Sequence, residues 1–198
     1  MGKLYCLMGK SASGKDSIYK ELLKQQDFPL RCVLPYTTRP RREGEQDGID
    51  YYFCDEQKVK ELEEAGKIIE LRCYQTVHGP WKYFTVDDGQ IDFTTNDYLI
   101  IVTLEAYEHI VSYFGQAKVV PIYIEVEDGE RLERALARER QQSHPKYAEM
   151  CRRFLADCED FSEIHLEKAK VTRRFVNEDM TQTIGEIITY MKQQANER

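Results

Sequence analysis

The stretch that decides the fold lies near the start of the chain and reads Lys3-Leu-Tyr-Cys-Leu-Met-Gly-Lys-Ser-Ala-Ser-Gly-Lys-Asp-Ser17. Residues 3–8 form a short apolar run that is typical of a buried strand. A turn rich in glycine and serine follows, and residues 17–25 have the pattern of a helix. A strand, a glycine-rich turn and a helix in this order are the setting of a loop that binds phosphate.

The loop Gly9-Lys-Ser-Ala-Ser-Gly-Lys15, hereafter the phosphate loop, has the chemistry that this setting requires. Glycines let the backbone wrap a phosphate, and the N–H groups of the loop and of the helix N-terminus supply partial positive charge. Lys15 is placed to reach the β- and γ-phosphate oxygens. The alternative interpretation is a glycine-rich turn that carries one exposed lysine.

The residue after this lysine departs from the usual pattern, because Asp16 stands where Ser or Thr normally offers a hydroxyl to Mg²⁺. A carboxylate is a suitable ligand for Mg²⁺ and is favourable in the first turn of a helix. Beside phosphates, however, it adds repulsion. Ser17 lies about 100° further around the helix and is not a simple replacement.

The composition is that of an ordinary globular domain. The chain has 198 residues, with 28 Lys and Arg against 35 Asp and Glu, and a net charge of −7. This acidic balance argues against a protein that coats nucleic acid, and no apolar run approaches the ~20 residues that cross a bilayer. We therefore expect a cytoplasmic protein with no nucleic-acid or membrane partner. The sequence does not indicate an oligomeric state.

Strand-like and helix-like segments alternate along the rest of the chain. We predict strands at residues 30–36, 68–74, 83–86, 98–104, 119–126 and 174–176. We predict helices at residues 55–65, with Asp55 as the N-cap, and at residues 129–141, 146–161 and 181–193. This alternation is typical of an α/β fold with a mostly parallel sheet. The strand-rich stretch at residues 37–86 interrupts it and indicates an inserted subdomain.

A second motif lies at residues 35–53, Pro-Tyr-Thr-Thr-Arg-Pro-Arg-Arg-Glu-Gly-Glu-Gln-Asp-Gly-Ile-Asp-Tyr-Tyr-Phe. Arg39, Arg41 and Arg42 are followed by acidic residues and by two tyrosines. Arginine binds phosphate through two parallel hydrogen bonds, and carboxylates suit the donor groups of a base or a sugar. A solvated, charge-rich surface loop is the alternative interpretation.

With these two motifs the chain resembles the guanylate kinase family. The family carries the pattern T-T-R-x-x-R-x-G-E-x-x-G-x-D-Y-x-F, which is matched here by Thr37, Thr38, Arg39, Arg42, Gly44, Glu45, Gly48, Asp50, Tyr51 and Phe53. The likeness runs through nearly the whole chain, at Glu70, Tyr83-Phe84-Thr85, Arg134, Arg138, Arg153 and Val176-Asn177-Glu178-Asp179.

This resemblance implies transfer of the γ-phosphoryl group of ATP to GMP, with Mg²⁺ bound to the nucleotide. The implied ATP-binding residues are Gly9, Lys10, Ser11, Ala12, Ser13, Gly14, Lys15, Asp16, Ser17 and Asn177. The implied GMP-binding residues are Arg39, Arg42, Glu45, Tyr51, Glu70, Tyr83, Thr85 and Glu105. The implied catalytic residues are Lys15, Arg42, Arg134, Arg138 and Arg153. Asp16, which departs from the family pattern, is expected to contact Mg²⁺ through its carboxylate.

The resemblance also implies an architecture. It is a P-loop NTPase-type parallel sheet flanked by helices, formed by residues 1–36 and 87–198. An inserted, mostly β subdomain at residues 37–86 binds the nucleoside monophosphate, and a small helical lid lies at about residues 134–153. Arg131, Arg134 and Arg138 share one face of the lid-forming helix, for which a solvated face paired with glutamates is the alternative.

Two further departures from the family pattern accompany Asp16. Thr103-Leu104-Glu105 stands where the family usually has Asp-Ile-Asp, so Glu105 keeps an acidic contact but Thr103 replaces a carboxylate. Asp16 and Thr103 suggest an exchange of a carboxylate and a hydroxyl between the loop and the strand. Pro35-Tyr36 replaces small hydroxyl residues near the acceptor phosphate. An insertion around residues 76–81, with His78 and Trp81, is expected to pack locally.

Two alternative interpretations of this sequence compete with a GMP kinase. Gly14-Lys15-Asp16-Ser17 also resembles the ribose 1,5-bisphosphate phosphokinases, which need no residue that recognises guanine. The set formed by Arg42, Glu45, Tyr51 and Glu70 favours GMP instead. A non-catalytic guanylate-kinase-like binding module is the other alternative, and the retained Lys15 argues against it.

Overall fold

A computed structural model describes residues 2–76 and 79–196 of the chain. The strands are β1 (Leu4–Gly9), β2 (Leu30–Cys32), β3 (Tyr36–Thr37), β4 (Tyr52–Phe53), β5 (Ile68–Thr76), β6 (Gly79–Val86), β7 (Asp97–Ile101), β8 (Val119–Glu125) and β9 (Arg174–Val176). The helices are α1 (Lys15–Leu22), α2 (Glu56–Glu64), α3 (Leu104–Phe114), α4 (Asp128–Arg140), α5 (Tyr147–Asp160), α6 (Glu163–Lys168) and α7 (Met180–Asn196).

The larger sheet is parallel throughout and has the strand order β2-β7-β1-β8-β9. β1 lies at its centre, and every residue of this strand is buried because both faces of the sheet are covered. Cys6 and Met8 pack with residues of α3 and α6 on one face. Tyr5 and Leu7 pack with α1 and α7 on the other. The predicted α/β fold, with a parallel sheet flanked by helices, is confirmed.

The smaller sheet is built from residues 36–86 and has the strand order β4-β3-β6-β5. β5 and β6 form an antiparallel hairpin. β3 pairs with β6 in antiparallel orientation, and β4 pairs with β3 in parallel orientation. Val59 and Leu62 of α2 pack on Phe84 and Val86, and so cover one face of this sheet. The other face is left for polar side chains.

The tip of the β5–β6 hairpin contains the predicted insertion. The hydroxyl of Thr76 donates a hydrogen bond to the carbonyl of Gly79 at 2.7 Å, across the turn. His78, for which local packing was predicted, lies outside the described residues. No helix of the described ranges is long and apolar enough to cross a membrane.

Residues 30–36, predicted as one strand, form two strands in different sheets. β2 pairs with β7 in the larger sheet, whereas β3 pairs with β4 and β6 in the smaller one. Pro35 lies between them and has no N–H with which to continue a ladder. The backbone of Leu34 bonds instead to the side chain of Gln90. The chain therefore passes from one sheet to the other at this proline.

The predicted strand at residues 98–104 is too long, because β7 stops short of its end and helix α3 begins within it. Thr103 is the N-cap of α3, and its hydroxyl oxygen accepts a hydrogen bond from the N–H of Ala106 at 3.2 Å. Tyr107 and Ile110 belong to the buried face of this helix. Neither α3 nor the short helix α6 was predicted, since the apolar run before α3 hid its helical spacing.

A β-bulge at the start of β5 decides which way the following residues face. Ile68 pairs with Val86, but the next pair in the ladder is Glu70 with Thr85, so β5 has one extra residue between them. Directly opposed residues share a face of the sheet. Glu70 therefore lies on the polar face with Thr85. In a regular ladder continued from Ile68 and Val86, Glu70 would instead pair with Phe84 and point into the apolar contact with α2.

Helix α2 begins at the N-cap that its sequence predicts. The carboxylate of Asp55 accepts a hydrogen bond from the N–H of Lys58 at 2.9 Å. Asp55→Ala removes this bond and is expected to lower the free energy of unfolding by about 1 kcal/mol. Asp55→Asn retains a capping oxygen and is the control. Urea unfolding followed by circular dichroism measures both variants, and an equal loss in the two would contradict a capping role.

Candidate active site

The phosphate loop joins the carboxyl end of β1 to the first residue of α1. Gly14 is the N-cap of α1 and has a φ of 86°, in the left-handed region that glycine adopts without strain. A Cβ atom at this position would lie 2.5 Å from the side-chain nitrogen of Asn177. That nitrogen donates a hydrogen bond to the carbonyl of Ser13 at 2.8 Å. Asn177, predicted as an ATP contact, is thus a buried support of the loop.

Side chains from α4 and α5 hold Ser11 of the phosphate loop on several sides. The carboxylate of Asp157 accepts a hydrogen bond from the backbone N–H of Ser11 at 2.6 Å. Arg153 donates to the Ser11 hydroxyl at 3.1 Å, and Arg131 donates to its carbonyl at 3.1 Å. The helices that follow β8 therefore contact the loop directly, and a carboxylate occupies one of the loop's N–H donors.

Arg131 is the most buried arginine of α4, with 1% of its surface exposed. Its guanidinium lies 4.5 Å from the centroid of the Phe154 ring and bonds to Asp128 at 2.9 and 2.7 Å. Lys10 of the phosphate loop bonds to the same carboxylate at 3.2 Å. Although partial burial opposes ionisation, the bonds from Arg131 and Lys10 hold the pKa of Asp128 below its usual value. Asp128 therefore ties the loop to α4.

The other residues predicted for the phosphate side are less constrained. Lys15 and Asp16 are neighbours in the first turn of α1, with the Lys15 Nζ 3.9 Å from a carboxylate oxygen of Asp16. The side chain of Asp16 is 71% exposed. Arg134 is half-buried, forms an ion pair with Glu130 one helical turn away, and donates to the carbonyl of Asn177 at 3.3 Å. The guanidinium of Arg138 is exposed and has no hydrogen bond or ion pair within residues 2–76 and 79–196.

Arg39 lies at the centre of the second motif and is 3% exposed. Its guanidinium makes two parallel hydrogen bonds to the carboxylate of Glu45, at 3.0 and 2.8 Å. The rings of Tyr51 and Phe53 have their centroids 5.6 and 5.7 Å from the guanidinium carbon. Glu45 also accepts a hydrogen bond from the backbone N–H of Arg42 at 2.7 Å. The motif therefore folds into an ion pair beside aromatic rings.

Arg42 differs from Arg39, because its side chain is exposed and its guanidinium bonds to no other residue of the described part of the chain.

A row of tyrosines begins beside the Arg39 ion pair. The ring centroids of Tyr51 and Tyr83 are 6.0 Å apart, and those of Tyr83 and Tyr74 are 5.8 Å apart. The row links the arginine motif to the far part of β5.

Glu70 stands on the same face of the smaller sheet, and its side chain is completely buried. The hydroxyl of Thr85, directly opposite in the ladder, donates to its carboxylate at 2.8 Å. Arg72 donates to the same carboxylate from Nε at 2.9 Å and from Nη2 at 3.4 Å. Positions two apart in a strand share a face, which is why this ion pair forms within β5. The structure thus brings Glu70 and Thr85 together and adds Arg72.

A cavity of about 300 Å³ lies beside the residues that contact Arg72. Tyr74 and Thr103 are among the residues that line it, and the Thr103 hydroxyl accepts a hydrogen bond from Nη1 of Arg72 at 3.3 Å. Glu105, in the first turn of α3, lines the same cavity. The hydroxyl of Thr103 therefore serves both the cap of α3 and the anchoring of Arg72. Its exchange with Asp16 stays a prediction.

Sequence reasoning missed Arg72 and Asp157 as site residues. It placed Arg131 on the arginine face of the lid helix but did not predict its contact with the phosphate loop. The pattern Glu70-Leu-Arg72 in a predicted strand does place opposite charges on one face, which is a usable signal. Arg131 follows Asp128 by one helical turn, and the pair is recognisable in the same way. No sequence pattern indicates that Asp157 bonds to the backbone of the phosphate loop, because that contact depends on how α5 packs.

A parallel sheet whose central strand ends in a glycine-rich loop before a helix defines a P-loop α/β protein. A smaller sheet with an arginine motif is inserted into it. The family model described as guanylate kinase matches residues 1–194, and the chain belongs to that family.

Individual relatives are similar over parts of their length. The chain is 41% identical to a guanylate kinase of Thermotoga maritima over 81 residues, 39% of this chain and 36% of that protein. It is 32% identical to a guanylate kinase of Vibrio cholerae over 139 residues, 68% of this chain and 64% of that protein. These alignments thus span less than two thirds of each relative.

The fold is also similar to that of a solved structure, a guanylate kinase from Anaplasma phagocytophilum. The TM-score is 0.69 at 20% sequence identity, over 98% of this chain and 86% of that chain. At this identity the likeness concerns the fold, and it extends over nearly the whole chain.

The ion pair between Glu45 and Arg39 makes the stability of the folded protein depend on pH. Hydrogen bonds from the Arg39 side chain and, to a smaller extent, from the Arg42 backbone hold the pKa of Glu45 below its usual value of 4.5. Such a carboxyl stabilises the folded protein above its unfolded pKa, and this contribution is lost as the pH falls through the folded pKa. The stability gap between the wild type and Glu45→Gln is therefore expected to narrow below about pH 4.5.

Urea unfolding between neutral pH and about pH 3.5 measures this gap. Glu43→Gln, at a neighbouring exposed position, is the control and should leave the pH dependence of the wild type intact. A gap between the wild type and Glu45→Gln that stays constant over the whole pH range would show that the Arg39–Glu45 pair does not contribute in this way.

Proposed function

We propose that this protein transfers the γ-phosphoryl group of ATP to GMP, giving ADP and GDP. One observation carries the proposal: a single chain joins a phosphate loop, with Lys15 at the start of α1, to a sheet face that bears the Arg39 cluster and the buried carboxylate of Glu70. The first part suits a polyphosphate and the second a nucleoside monophosphate. Membership of the family and the names of the relatives support this assignment.

On the donor side, Lys15 and the N–H groups of the phosphate loop bind the phosphates of ATP. Phosphoryl transfer needs positioning and neutralisation of charge rather than a covalent intermediate. Arg153 already reaches the loop at Ser11, and Arg134 lies beside the turn that braces the loop. Both supply positive charge where negative charge accumulates. Arg138 joins them when residues 134–153 close over the site as a lid.

On the acceptor side, Arg42, Arg39, Tyr51 and Tyr83 bind the phosphate of GMP. The charge of Arg39 is already balanced by Glu45, so the exposed guanidinium of Arg42 supplies the uncommitted positive charge. Arg39 contributes chiefly by holding the tyrosine rings in place. Two arginines of the same motif therefore act in different ways.

Glu70 and Thr85 recognise the base in this proposal. A carboxylate accepts hydrogen bonds from the N1–H and the 2-amino group of guanine, and adenine has neither donor. Glu105 lies in the wall of the adjoining cavity and is a second acidic contact. Burial of Glu70 strengthens its hydrogen bonds, because little water competes for the carboxylate.

The residues present fit an Mg²⁺ ion that arrives with ATP. No group of three or more His, Cys, Asp or Glu side chains that could hold a metal ion lies within residues 2–76 and 79–196. Mg²⁺ is usually held by one or two carboxylates together with substrate phosphates, and Asp16 is exposed next to the phosphate loop. When bound, the ion neutralises charge on the phosphates. Asp16 is the residue that would hold it.

The chemistry of the cysteines supports a reducing compartment. All six are free thiols: Cys6 is buried, Cys54 and Cys158 are half-buried, and Cys32, Cys73 and Cys151 are exposed. Extracellular domains more often use their cysteines as disulfides. We therefore place the proposed reaction in the cytoplasm, with ATP and GMP as small-molecule partners.

The first experiment measures release of ADP from ATP and Mg²⁺ with GMP, dGMP, AMP, UMP or ribose 1,5-bisphosphate as the acceptor. We expect turnover with GMP, and a fall in kcat of about 10²–10³-fold in Lys15→Met, because a charge that binds the transferred phosphate is lost. Lys20→Met, on the exposed side of the same helix, is the matched control and should behave as the wild type.

Two outcomes of this experiment would overturn the proposal. Turnover with ribose 1,5-bisphosphate alone would identify a sugar-phosphate kinase and leave the guanine-recognition role of Glu70 without support. Binding of GMP without turnover would identify a nucleotide-binding module instead. Arg42→Ala should raise the KM for GMP, since it removes the uncommitted charge of the acceptor site.

Replacement of Asp16 by Asn tests how Mg²⁺ is held. An amide is a weaker ligand for Mg²⁺ than a carboxylate, so the Mg²⁺ concentration that gives half-maximal activity should rise in Asp16→Asn. The same change removes a negative charge beside the phosphates, so ATP without Mg²⁺ should bind more tightly. Titrations of activity with Mg²⁺ and of ATP binding in EDTA measure the two effects. Unchanged Mg²⁺ dependence would assign the metal contact elsewhere.

A further inference from the structure

We propose that Arg72 recognises the acceptor base together with Glu70, by donating a hydrogen bond to O6 of guanine while Glu70 accepts from N1 and the 2-amino group. This inference rests on the proposed function, because it names a further specificity residue of the same site. It makes an ion pair, rather than a lone carboxylate, the element that distinguishes guanine.

The position of Arg72 in the sheet is the first support. In the β5–β6 ladder Glu70 lies opposite Thr85, and Arg72 lies opposite Tyr83. All four side chains therefore share the polar face of the smaller sheet. Three of them are residues to which the proposed function assigns contacts with GMP, so Arg72 completes the same patch.

The second support is that Arg72 is held rigidly. Its side chain is 12% exposed and makes hydrogen bonds to Glu70 within β5 and to Thr103 at the start of α3. The guanidinium therefore bridges the smaller sheet and the core. A planar donor group fixed at both sides loses little conformational freedom when a ligand binds.

The third support is the remaining hydrogen-bonding capacity. The bonds to Glu70 and Thr103 use three of the five N–H groups of a guanidinium, and the Tyr74 hydroxyl is within reach of another. The guanidinium therefore still has a donor to give. Tyr74 and Thr103, its neighbours, both line the cavity of about 300 Å³, so that donor lies near space that a base can enter.

The chemistry of the pair is complementary to guanine. The edge of guanine presents O6 as an acceptor beside the N1–H and 2-amino donors, and an arginine beside a carboxylate presents the opposite order. Adenine presents an amino group and an unprotonated N1 at the corresponding positions. The amino group would face Arg72 and the N1 lone pair would face Glu70, so the pair rejects adenine at two points.

The acceptor capacity of Glu70 limits how the base is bound. Its two oxygens offer about four lone-pair sites, and Arg72 and Thr85 already occupy three of them. For Glu70 to meet both N1–H and the 2-amino group, the Thr85 hydroxyl must turn towards the base. The Arg72 bonds stay in place, and they continue to balance the charge of the buried carboxylate.

The test compares GMP with two analogues as acceptors. In 6-thio-GMP a weakly accepting sulfur replaces O6, and IMP lacks the 2-amino group. The wild type is expected to prefer GMP to 6-thio-GMP by about tenfold or more in kcat/KM, the effect of one hydrogen bond from a charged donor. In Arg72→Met this preference should fall towards unity. The preference for GMP over IMP, which depends on Glu70, should persist.

Two further variants make the comparison interpretable. Lys82→Met removes the cation of the Lys82–Glu56 pair on the same sheet and should leave both preferences unchanged. Arg72→Met leaves the buried carboxylate of Glu70 without its partner and can destabilise the fold. Arg72→Lys keeps a positive charge there but lacks the planar fork, so it should also reduce the preference for GMP over 6-thio-GMP. Thermal unfolding checks each variant.

The outcomes separate this inference from the proposed function. An equal loss with all three acceptors in the Arg72 variants would mean that Arg72 only supports Glu70, and a gain with GMP would mean that it obstructs the base. Either result would overturn the inference while GMP phosphorylation by the wild type stood. If the wild type neither binds GMP in calorimetry nor phosphorylates it, the proposed function fails first.

Discussion

The carboxyl ends of the neighbouring parallel strands β7, β1, β8 and β9 meet at one edge of the larger sheet, and the phosphate loop with its supporting residues is attached to that edge. β1 leads into the phosphate loop, β8 into α4 with Arg131, and β9 into the turn with Asn177. Parallel strands require crossovers that return to the same edge. The bonds that Asn177 and Arg131 make to the loop therefore follow from the topology.

The buried guanidinium groups are neutralised by carboxylates of the protein itself, without any ligand. Each buried or nearly buried arginine faces a carboxylate of the same chain, in the pairs Arg39–Glu45, Arg72–Glu70 and Arg131–Asp128. An unpaired charge at such sites would be strongly unfavourable. Arg42 and Arg153, by contrast, are exposed and form no ion pair within the described residues. Under the proposed function, the buried arginines support the architecture and these exposed ones contact phosphates.

The sequence was sufficient for features whose signal is local. The strand, loop and helix around Lys15 and the cap at Asp55 have patterns confined to a few residues, and the structure confirms them. The parallel sheet follows from the regular alternation of short strand and helix patterns, and it is confirmed as well. The role of Thr103 was not predictable in this way, since an apolar run concealed the start of α3. The partners of Arg72 and Asp157 depend on tertiary packing, which no short pattern records.

The bulge at the start of β5 has a consequence for how this region can change in length. A strand alternates its faces with period two, so losing or gaining one residue between the bulge and Arg72 would exchange the polar and apolar faces. Glu70 would then meet α2, and Leu71 would enter the polar face of the smaller sheet. Insertions of two residues keep each side chain on its present face. A change of one residue needs a compensating bulge, such as the one that the strand already has at its start.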